Sequence, residues 1–560
     1  MAGGTANGTS DPDFERYRKA ATERGKWDGI LDDAYRYAIP NHDPRGGETA
    51  GQKRNVEVYD STAVTAVDQR AARLHGLLYP PFKEFQDFAT DGDDTNLSDM
   101  DDGEDKSALK EFIEDAKRRF HSAIERSNFH VEIHPTLKDA QISIGALLVH
   151  QGSADNPLRF EAVPVSQVIP EEGPDGIIRT VFRTHRVKGR SVSDRWPDAK
   201  LPQDMADKVR DNPDEEIAFV EGTIHDSKAD RYRYVVWVEE GTKRVVERKY
   251  KTSPWVVFRM DKAPGETMGR GSVLSCLPDI QVANKVVELV LMNAAFAVSG
   301  IWQAEDDGVL NPATVKLVPG AIIPKGSGKG LEPLVPGVKF DVSQLLLTDL
   351  RQKIHLTIMG PSLPPDEQAG KTTAYEVSVR QRTQESIEVP VSLRLLTELD
   401  YGLAMRILDI LQSRAMAGSS YYIPPLVMGD KKLRPVPTSP LIKLQDLADA
   451  EEAISALTQL LQLAGPQVVA AIVDVEKFAR WFLEYRGFPM HLVRRVEDVL
   501  KQQVMAQRAA QMAAQQAGAV PGGQMPPAGQ DAAAAFPPAG GAGAPPLAAL
   551  AQAMGGQAGG

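Results

Sequence analysis

Two glycine–lysine segments are the first candidates for phosphate chemistry in this sequence. A Walker A loop needs a glycine five positions before its Gly-Lys pair and a Ser or Thr after the lysine, so that backbone amides and a hydroxyl hold the phosphates and magnesium. The first segment, KGSGKG at 325–330, has Ile323 in the leading position and Gly330 after Lys329. Both ends of the pattern therefore fail.

The second segment, AGKTT at 369–373, meets only half of the same requirement. Thr372 follows Lys371 as the pattern demands, but Pro365 occupies the leading glycine position. Asp366 and Glu367 would also direct negative charge toward a phosphate. We therefore predict no nucleotide cofactor at either segment.

Histidines and the single cysteine are the remaining candidates for metal binding or nucleophilic catalysis. The HVEIH spacing of His130 and His134 resembles a pair of zinc ligands, but Pro135 follows at once and no third ligand is close in sequence. We predict that these two and His121 are surface or capping residues. Cys276 lies in an apolar helical pattern, where a reactive thiolate is not expected. No catalytic residue, metal or cofactor is predicted, so we expect a protein that is not an enzyme.

The charge of the chain limits the kinds of partner that it can hold. With 64 basic and 76 acidic residues, the formal net charge is −12, whereas proteins that grip nucleic acid tightly usually carry a basic surface. Residues 91–105 contain eight acids and no base, which is typical of a solvated loop. The acidic net charge argues against tight DNA binding but permits a surface past which DNA slides.

The first half of the chain is predicted to be an α+β domain. Helical patterns cover 14–39, 61–78, 106–127 and 134–144, with Asp60 or Ser61 capping the second. From ALLVHQG at 146 to about residue 260, the sequence has runs rich in β-branched and aromatic residues, separated by turn residues. These runs are TVFRTHRV, EIAFVEGTIHD, YRYVVWVEE and SPWVVFRMD.

The second half is predicted to be mainly helical. Residues 272–298 form a long apolar helix pattern, a Pro/Gly-rich insertion with short β runs fills 299–340, and a second helix covers 341–359. Three prolines and two glycines exclude regular structure from 360–373. Further helical patterns cover 374–415, with a break expected at Pro390, and 440–516. The Ala/Gly/Pro/Gln tail from 517 to 560 is expected to be disordered, as are residues 1–11.

No membrane segment is predicted. The longest apolar run, 286–302, is short for a bilayer span and contains Glu288 and Asn293, which favours a helix buried against protein. The N-terminus has no basic and apolar leader pattern, and one cysteine indicates a reducing cytoplasm.

Four segments, taken in order, are similar to the portal, or head-to-tail connector, proteins of short-tailed bacteriophages (podoviruses). The resemblance spans roughly 12–515 and also includes the helix–insertion–helix pattern described above. Its segments are YDSTAVTAVDQRAARLHGLLYPPFKEF at 59–85, FRMDKAPGETMGRGSVLSCLPDIQVANKVVE at 258–288, KTTAYEVSVRQRTQE at 371–385 and VDVEKFARWFLEYRGFPMHLVRRVEDV at 473–499.

The resemblance implies an α+β portal fold and a division of the chain into parts. Residues 12–271 and 374–440 would be the wing, and 272–298 and 341–359 the two helices of the stem. Residues 299–340 would be the clip, 360–373 the tunnel loop and 441–516 the helical crown or barrel.

The resemblance also implies a location and partners. Twelve subunits would form a homo-oligomeric ring at one capsid vertex of the virion, assembled in the host cytoplasm. Double-stranded DNA would pass through the ring during packaging and ejection. The ring would contact the major capsid and scaffolding proteins, then the terminase large subunit, and afterwards tail adaptor proteins.

Two sets of residues are the predicted functional sites. The stem interface is expected at Val286, Leu289, Val290 and Met292, because an all-round apolar helix buries both flanks only in an assembly. The tunnel loop would present Pro364, Pro365, Asp366, Glu367, Gln368 and Lys371 to DNA. Lys371, Arg351 and Lys353 either contact phosphate weakly or pair with nearby acids such as Asp366, Glu367 and Asp349, and the sequence leaves both interpretations open.

Two other classes of protein are alternatives to a portal protein. A different phage head–tail structural or adaptor protein would be much shorter and would lack the helix–insertion–helix pattern. An ATP-driven DNA translocase would need the complete Walker A loop that is missing at both Gly-Lys segments.

Overall fold

The computed structural model describes residues 11–42, 57–90, 104–238, 243–299, 302–305, 322–325, 332–333, 340–360, 391, 393–425 and 433–439, with a few positions between 453 and 482. The chain divides into two compact units, Met1–Ile472 and Val473–Gly560, and all elements below belong to the first. Helices and sheets both contribute to this unit, so the predicted α+β class is confirmed.

The N-terminal helix predicted over 14–39 is in fact two helices, α1 (Pro12–Gly25) and α2 (Asp28–Ala38). Asp11 caps α1 by accepting a 3.1 Å hydrogen bond from the backbone of Asp13, and Pro12 occupies the first turn. The break follows Gly25, a residue that weakens a helix interior. Trp27 lies at the break, where the guanidinium of Arg270 stacks 5.0 Å from its ring.

Helix α3 (Thr62–Leu78) matches its predicted bounds, and Asp60 accepts a 2.9 Å hydrogen bond from the Thr62 backbone at its start. Helix α4 spans Glu104–Arg126. Helix α5 (Phe129–Ile142) begins five residues before the predicted start at 134 and contains Pro135. Tertiary contacts account for the early start: Phe129 is fully buried, and the Asn128 side chain bonds both backbone groups of Phe160.

Two antiparallel sheets form the β part of the domain. Strand β2 (Ile144–Gln151) lies between β3 (Leu158–Ala162) and β9 (Trp255–Arg259). A five-stranded meander runs in chain order, with the short helices α6 (Gly189–Arg195) and α7 (Gln203–Asp211) inserted between β5 and β6. Its strands are β4 (Val168–Glu172), β5 (Ile178–Lys188), β6 (Glu216–Asp226), β7 (Arg231–Val238) and β8 (Arg244–Tyr250).

A further pair joins distant parts of the chain. Strand β1 (Gln86–Thr90) pairs antiparallel with β13 (Leu433–Pro437), and neither strand was predicted. Strand β8 was also not predicted. A short strand without strong alternation gains its hydrogen bonds from a partner that local sequence cannot identify.

Two long helices follow the sheets. Helix α8 spans Ser272–Ser299 and α9 spans Phe340–Met359, within a residue of the predicted patterns. Between them lie the short strands β10 (Trp302–Glu305), β11 (Ile322–Lys325) and β12 (Glu332–Pro333), with β10 central. Most of residues 299–340 lie outside the described part of the chain.

The last described elements return to the main core. A π-helical turn at Leu396–Asp400 continues into α10 (Tyr401–Leu411), which ends before the predicted limit at 415. Leu399, Leu403 and Ile407 pack in one cluster with residues of α3, α4, α5 and β2. The predicted helices beyond 440 and the tail from 517 lie almost wholly outside the described residues.

Candidate functional site

The pair of helices α8 and α9 changes character along its length. At the start of α8, Val273, Leu277 and Ile280 are buried in the core cluster that also holds Ile354 and Ile358 of α9. After Ala283, no residue of α8 whose burial the structure describes is fully buried except Asn284. The base of the pair is thus fixed in the domain, and the projecting part beyond it leaves most of its described side chains half-buried or exposed.

Large apolar residues occupy this projecting part, which we name the apolar flank. An isolated chain rarely leaves so many large aliphatic side chains in water, and such surfaces generally mark contacts with other proteins. The exposed members are Leu289, Leu291, Met292, Leu345 and Leu346, with Leu345 79% exposed and Leu289 53% exposed.

The four residues predicted for the stem interface lie on this flank. Leu289 and Met292 are exposed, and Val286 and Val290 are half-buried. The sequence reasoning did not name the residues of α9 that extend the flank, Leu345 and Leu346. The signal was present in the LLL run at 345–347, which is longer than one buried helix face needs.

Polar contacts hold the base of α8 to the chain before α3. The Asn284 side chain accepts hydrogen bonds from the backbone of Tyr59 (2.7 Å) and Asp60 (3.1 Å). Its amide group donates to the carbonyl of Glu57 at 2.8 Å. A buried amide that satisfies three backbone groups fixes the rotation of α8 about its axis at this point.

An ion pair performs the same role for α9. Arg351 donates to the Asp60 carboxylate at 2.7 Å, and the same carboxylate caps α3. Burial of Asp60 acts to raise its pKa, but hydrogen bonds from Thr62 and Arg351 outweigh it, and the pKa falls below its usual range. Arg351 therefore has an acidic partner within its own chain.

Lys353 likewise lies 3.6 Å from Asp349. For both cations, the interpretation that they pair with acids agrees with the structure, although Asp60 rather than Asp349 is the partner of Arg351. Both pairs are partly exposed, so contact with DNA would have to compete with these carboxylates.

The end of α9 leads directly into the predicted tunnel loop. Arg70 donates to the last helical carbonyl, that of Met359, at 2.7 Å. Gly360 follows with φ +76°, the left-handed conformation that commonly terminates a helix. The loop residues Pro364, Pro365, Asp366, Glu367, Gln368 and Lys371 lie outside the described residues.

The histidines occupy positions that sequence reasoning described only in part. His121 is buried, and its Nε2 accepts hydrogen bonds from the backbone of Phe85 (3.1 Å) and Gln86 (3.3 Å) at the start of β1, so it is neither a surface residue nor a helix cap. His130 forms a 2.9 Å hydrogen bond with His75 of α3, and His134 lies 3.4 Å from Asp68.

The remaining candidates for chemistry are the single cysteine and groups of possible metal ligands. Cys276 is buried in α8, and burial raises the pKa of its thiol to about 12. Over the described ranges, no three His, Cys, Asp or Glu side chains come together in a way that could hold a metal ion. Nor does any helix there combine the length and apolarity that a bilayer span requires.

The sequence of the chain is similar to that of a known protein family. Residues 14–493 match the family model described as bacteriophage head to tail connecting protein. Among solved structures, a chain of the "Neck of empty GTA particle computed with C6 symmetry" is 10% identical, with a TM-score of 0.30, over 75% of this chain and 96% of that one. A chain of the "Virion of native gene transfer agent (GTA) particle" is 11% identical, with a TM-score of 0.31, over 77% and 99%. No curated protein matches the chain.

Proposed function

The chain belongs to the family of bacteriophage head to tail connecting proteins, and we propose that it is the portal subunit, which forms a ring at one capsid vertex. Membership of this structural family assigns it to the junction of head and tail in the virion. The portal role adds a channel through which the genome is packaged and later ejected.

The observation that carries the proposal is the apolar flank of α8 and α9. Its exposed leucines and methionine need a partner surface, and a ring supplies one to every subunit without leaving a free end. Ring closure by a repeated heterologous contact requires each subunit to present two different surfaces. Side chains that project on several sides of the helix pair fit that requirement. We propose twelve subunits.

We assign the parts of the subunit as follows. Residues 12–271 with 374–440 form the wing, whose common core is supported by the packing of Leu399 and Leu403 against α3 to α5. The helices at 272–298 and 341–359 form the stem and 299–340 the clip. Residues 360–373 form the tunnel loop and 441–516 the crown.

A channel for DNA must let the duplex move. A net charge of −12 repeated around a ring favours repulsion of phosphates over adhesion. The proposed tunnel loop carries Asp366 and Glu367 against Lys371, so its hold on phosphate is weak and sensitive to salt.

The partners proposed for the ring follow its place in assembly. Major capsid and scaffolding proteins surround it in the forming head, and the terminase large subunit docks on the clip during packaging. Tail adaptor proteins replace the terminase afterwards. We propose assembly in the host cytoplasm of a short-tailed phage and no enzymatic activity of its own.

Imaging of the purified chain tests the proposal directly. Negative-stain electron microscopy should show rings with a central hole and a single dominant subunit number. A particle that stays monomeric at micromolar concentration in low and high salt would count against the portal role.

The channel role has its own test in the proposed tunnel loop. Deletion of residues 364–368 should leave the rings intact but reduce the fraction of heads that package or retain DNA, because the segment no longer contacts the duplex. Heads would be scored by nuclease-protected DNA, with Lys371→Gln as a milder variant. Normal packaging and retention by the deletion would show that this segment is an ordinary connector.

A further inference from the structure

A basic cleft lies between strands β2, β3 and β8 and helix α10. Its volume is about 780 Å³. Six cations line it, against two carboxylates, Asp194 and Asp409. The six are Arg159, Arg195, Arg248, Lys249, Lys251 and Arg406. This concentration is unusual in a chain with a net charge of −12.

Arg406 lines the cleft from α10 and is only 5% exposed. Its Nη1 donates to the Thr252 hydroxyl at 3.3 Å and lies 3.5 Å from Asp409, and its guanidinium stacks 5.1 Å from the ring of Tyr250. Its Nε, although buried, has no hydrogen-bond partner in the part of the chain that the structure describes. A desolvated guanidinium with an unused donor is stabilised when an oxyanion approaches it.

The remaining cations fall into two groups. Arg195 and Arg248 are neutralised by acids of their own chain, Glu161 and Glu221 for the first and Asp198 for the second. Arg159, Lys249 and Lys251 are exposed and have no ion-pair partner among the described residues. The cleft thus has three free cations as well as the buried guanidinium.

The lining indicates which kind of anion fits. A cleft of this volume lies in the range of sites for small ligands and peptide side chains, and it is too small to admit a DNA duplex. The half-buried ring of Tyr250 and the exposed Pro425 add apolar surface beside the cations. Carboxylates on a chain that also carries apolar side chains match this combination.

We propose that the cleft binds an acidic peptide segment, and that its occupant is residues 91–105 of a second copy of the chain. That segment, DGDDTNLSDMDDGED, contains eight acids, no base, and the apolar residues Leu97 and Met100. Its charge complements the cleft. The assignment of the segment to a second copy rests on the proposed ring, whereas recognition of the peptide by the cleft does not.

The positions of the segment's ends favour a second copy over the same one. Thr90 ends β1 and Glu104 begins α4, and thirteen residues fixed at both ends reach at most about 22 Å outward. From Glu104 to Arg119, α4 itself spans about 22 Å. At that point Arg119 donates to the Tyr422 carbonyl (2.7 Å), and Arg126 farther along α4 donates to the Tyr421 hydroxyl (3.5 Å), both close in sequence to Pro425 of the cleft. To reach the cleft of its own copy, the segment would need both of its halves to be almost fully extended.

Peptide binding tests the recognition. A fluorescent synthetic peptide of residues 91–105 is titrated onto the full-length chain whose own eight acids in this segment are replaced by Asn or Gln, so that no internal segment competes. Binding should weaken as salt rises and should fall at least tenfold when Lys249→Glu and Lys251→Glu are added. The matched control reverses two exposed lysines elsewhere, Lys208→Glu and Lys228→Glu, and should bind like the parent.

Three results would overturn the recognition. Equal losses in the two charge-reversed chains would mean that net charge alone attracts the peptide. Equal affinity for a peptide with its acids replaced by amides would mean that carboxylates are not recognised. A single-stranded DNA oligonucleotide of equal charge that binds more tightly, and loses that affinity with Lys249→Glu and Lys251→Glu, would assign the cleft to nucleic acid instead.

Disulfide trapping tests the source of the segment. Chains carrying Asn96→Cys are mixed with chains carrying Lys251→Cys, and Cys276 is buried in both. Mild oxidation should give a linked dimer from the mixture. A link that forms only within the double variant Asn96→Cys, Lys251→Cys would place the segment in its own copy. Rings absent from micrographs while the peptide still binds would contradict the portal role and leave peptide recognition standing.

Discussion

Arg259 is the fully buried guanidinium that joins three parts of the domain. It ends β9, donates to Glu398 of the helical segment before α10 at 2.7 Å, and forms an ion pair with Glu172 of β4. Two carbonyls, those of Gly176 (2.8 Å) and Thr267 (3.0 Å), accept its other hydrogens. Such a charge is tolerated in a core because every polar group around it is paired.

Replacement of Arg259 by Met should therefore be strongly destabilising. It leaves the buried carboxylate of Glu398 without its main partner, at a cost of about 3–5 kcal/mol in the free energy of unfolding. Thermal melting of the purified chain measures the effect as a lower midpoint. The control Arg118→Met breaks the exposed pair with Asp115 and should cost about 1 kcal/mol or less. Equal midpoints for the two variants would mean that the buried network contributes little.

Asp400 is a buried acid whose ionisation opposes folding. Burial raises the pKa of its carboxyl to about 7, whereas the carboxyl of an unfolded chain titrates near 3.9. The folded state therefore keeps a proton that the unfolded state loses between these values. The associated stability is fully present below about pH 4 and is lost as pH rises through 7.

Asp400→Asn should remove this pH dependence. At pH 8 the free energy of unfolding of the variant should exceed that of the parent by an amount on the order of a few kcal/mol, which raises its melting midpoint. The difference should close as pH falls toward 4. Melting midpoints from pH 4 to pH 8 provide the measurement. Asp214→Asn, at an exposed pair with Arg190, should follow the parent at every pH. A constant offset across the range would exclude Asp400 as the titrating group.

At the scale of elements, the start of α8 depends on close contact with the end of α5. A Cβ atom on Gly271 would lie 2.0 Å from the carbonyl oxygen of Gln141, and the Gly271 backbone donates to Ile142 at 3.0 Å. Both contacts are with backbone atoms, which cannot move aside as the end of a flexible side chain could. The position of the helix pair on the domain is thus set by a glycine that precedes it.

Gly271→Ala should displace the start of α8 from the end of α5 and lower the melting midpoint of the chain. Gly76→Ala in α3 is the matched control, because a Cβ there meets nothing within 4 Å. Alanine favours a helix over glycine by about 1 kcal/mol, so the control should be neutral or slightly stabilised. Hydrogen exchange over 272–283 should rise only in the first variant. Unchanged exchange there would show that the close approach is relieved elsewhere.

At the scale of the whole molecule, the apolar flank leads to a prediction about assembly. Val290→Asp places a charge where subunits are proposed to meet, and burying it without a partner costs several kcal/mol per subunit, on the order of the penalty for an unpaired charge. Rings should fail to form while the monomer stays folded, as measured by sedimentation and circular dichroism.

The control for this prediction is Val131→Asp, which makes the same change at a valine that is 71% exposed on α5. It should assemble normally. Rings of normal size from Val290→Asp would mean that this part of α8 is not an interface, and failure of both variants would point to a general effect of charge on assembly.

Features that depend on local pattern could be predicted from the amino-acid sequence alone. The α+β class, helix α3 and the long helices α8 and α9 follow from periodicity, because a continuous apolar pattern of that length has few other structures available. The connector family was also recognisable from four ordered segments, and the matched family model confirms it. The stem interface, tunnel loop and division into parts stay predictions.

Features that depend on distant partners in the chain became visible in the folded structure. The break after Gly25, the early start of α5 and the pairing of β1 with β13 each depend on contacts that no local window contains. His121 is buried because its Nε2 accepts hydrogen bonds from the backbone amides of Phe85 and Gln86, which are distant in sequence. The basic cleft likewise gathers cations that lie from residue 159 to residue 406, and charge at such separations becomes one electrostatic surface only after the chain folds.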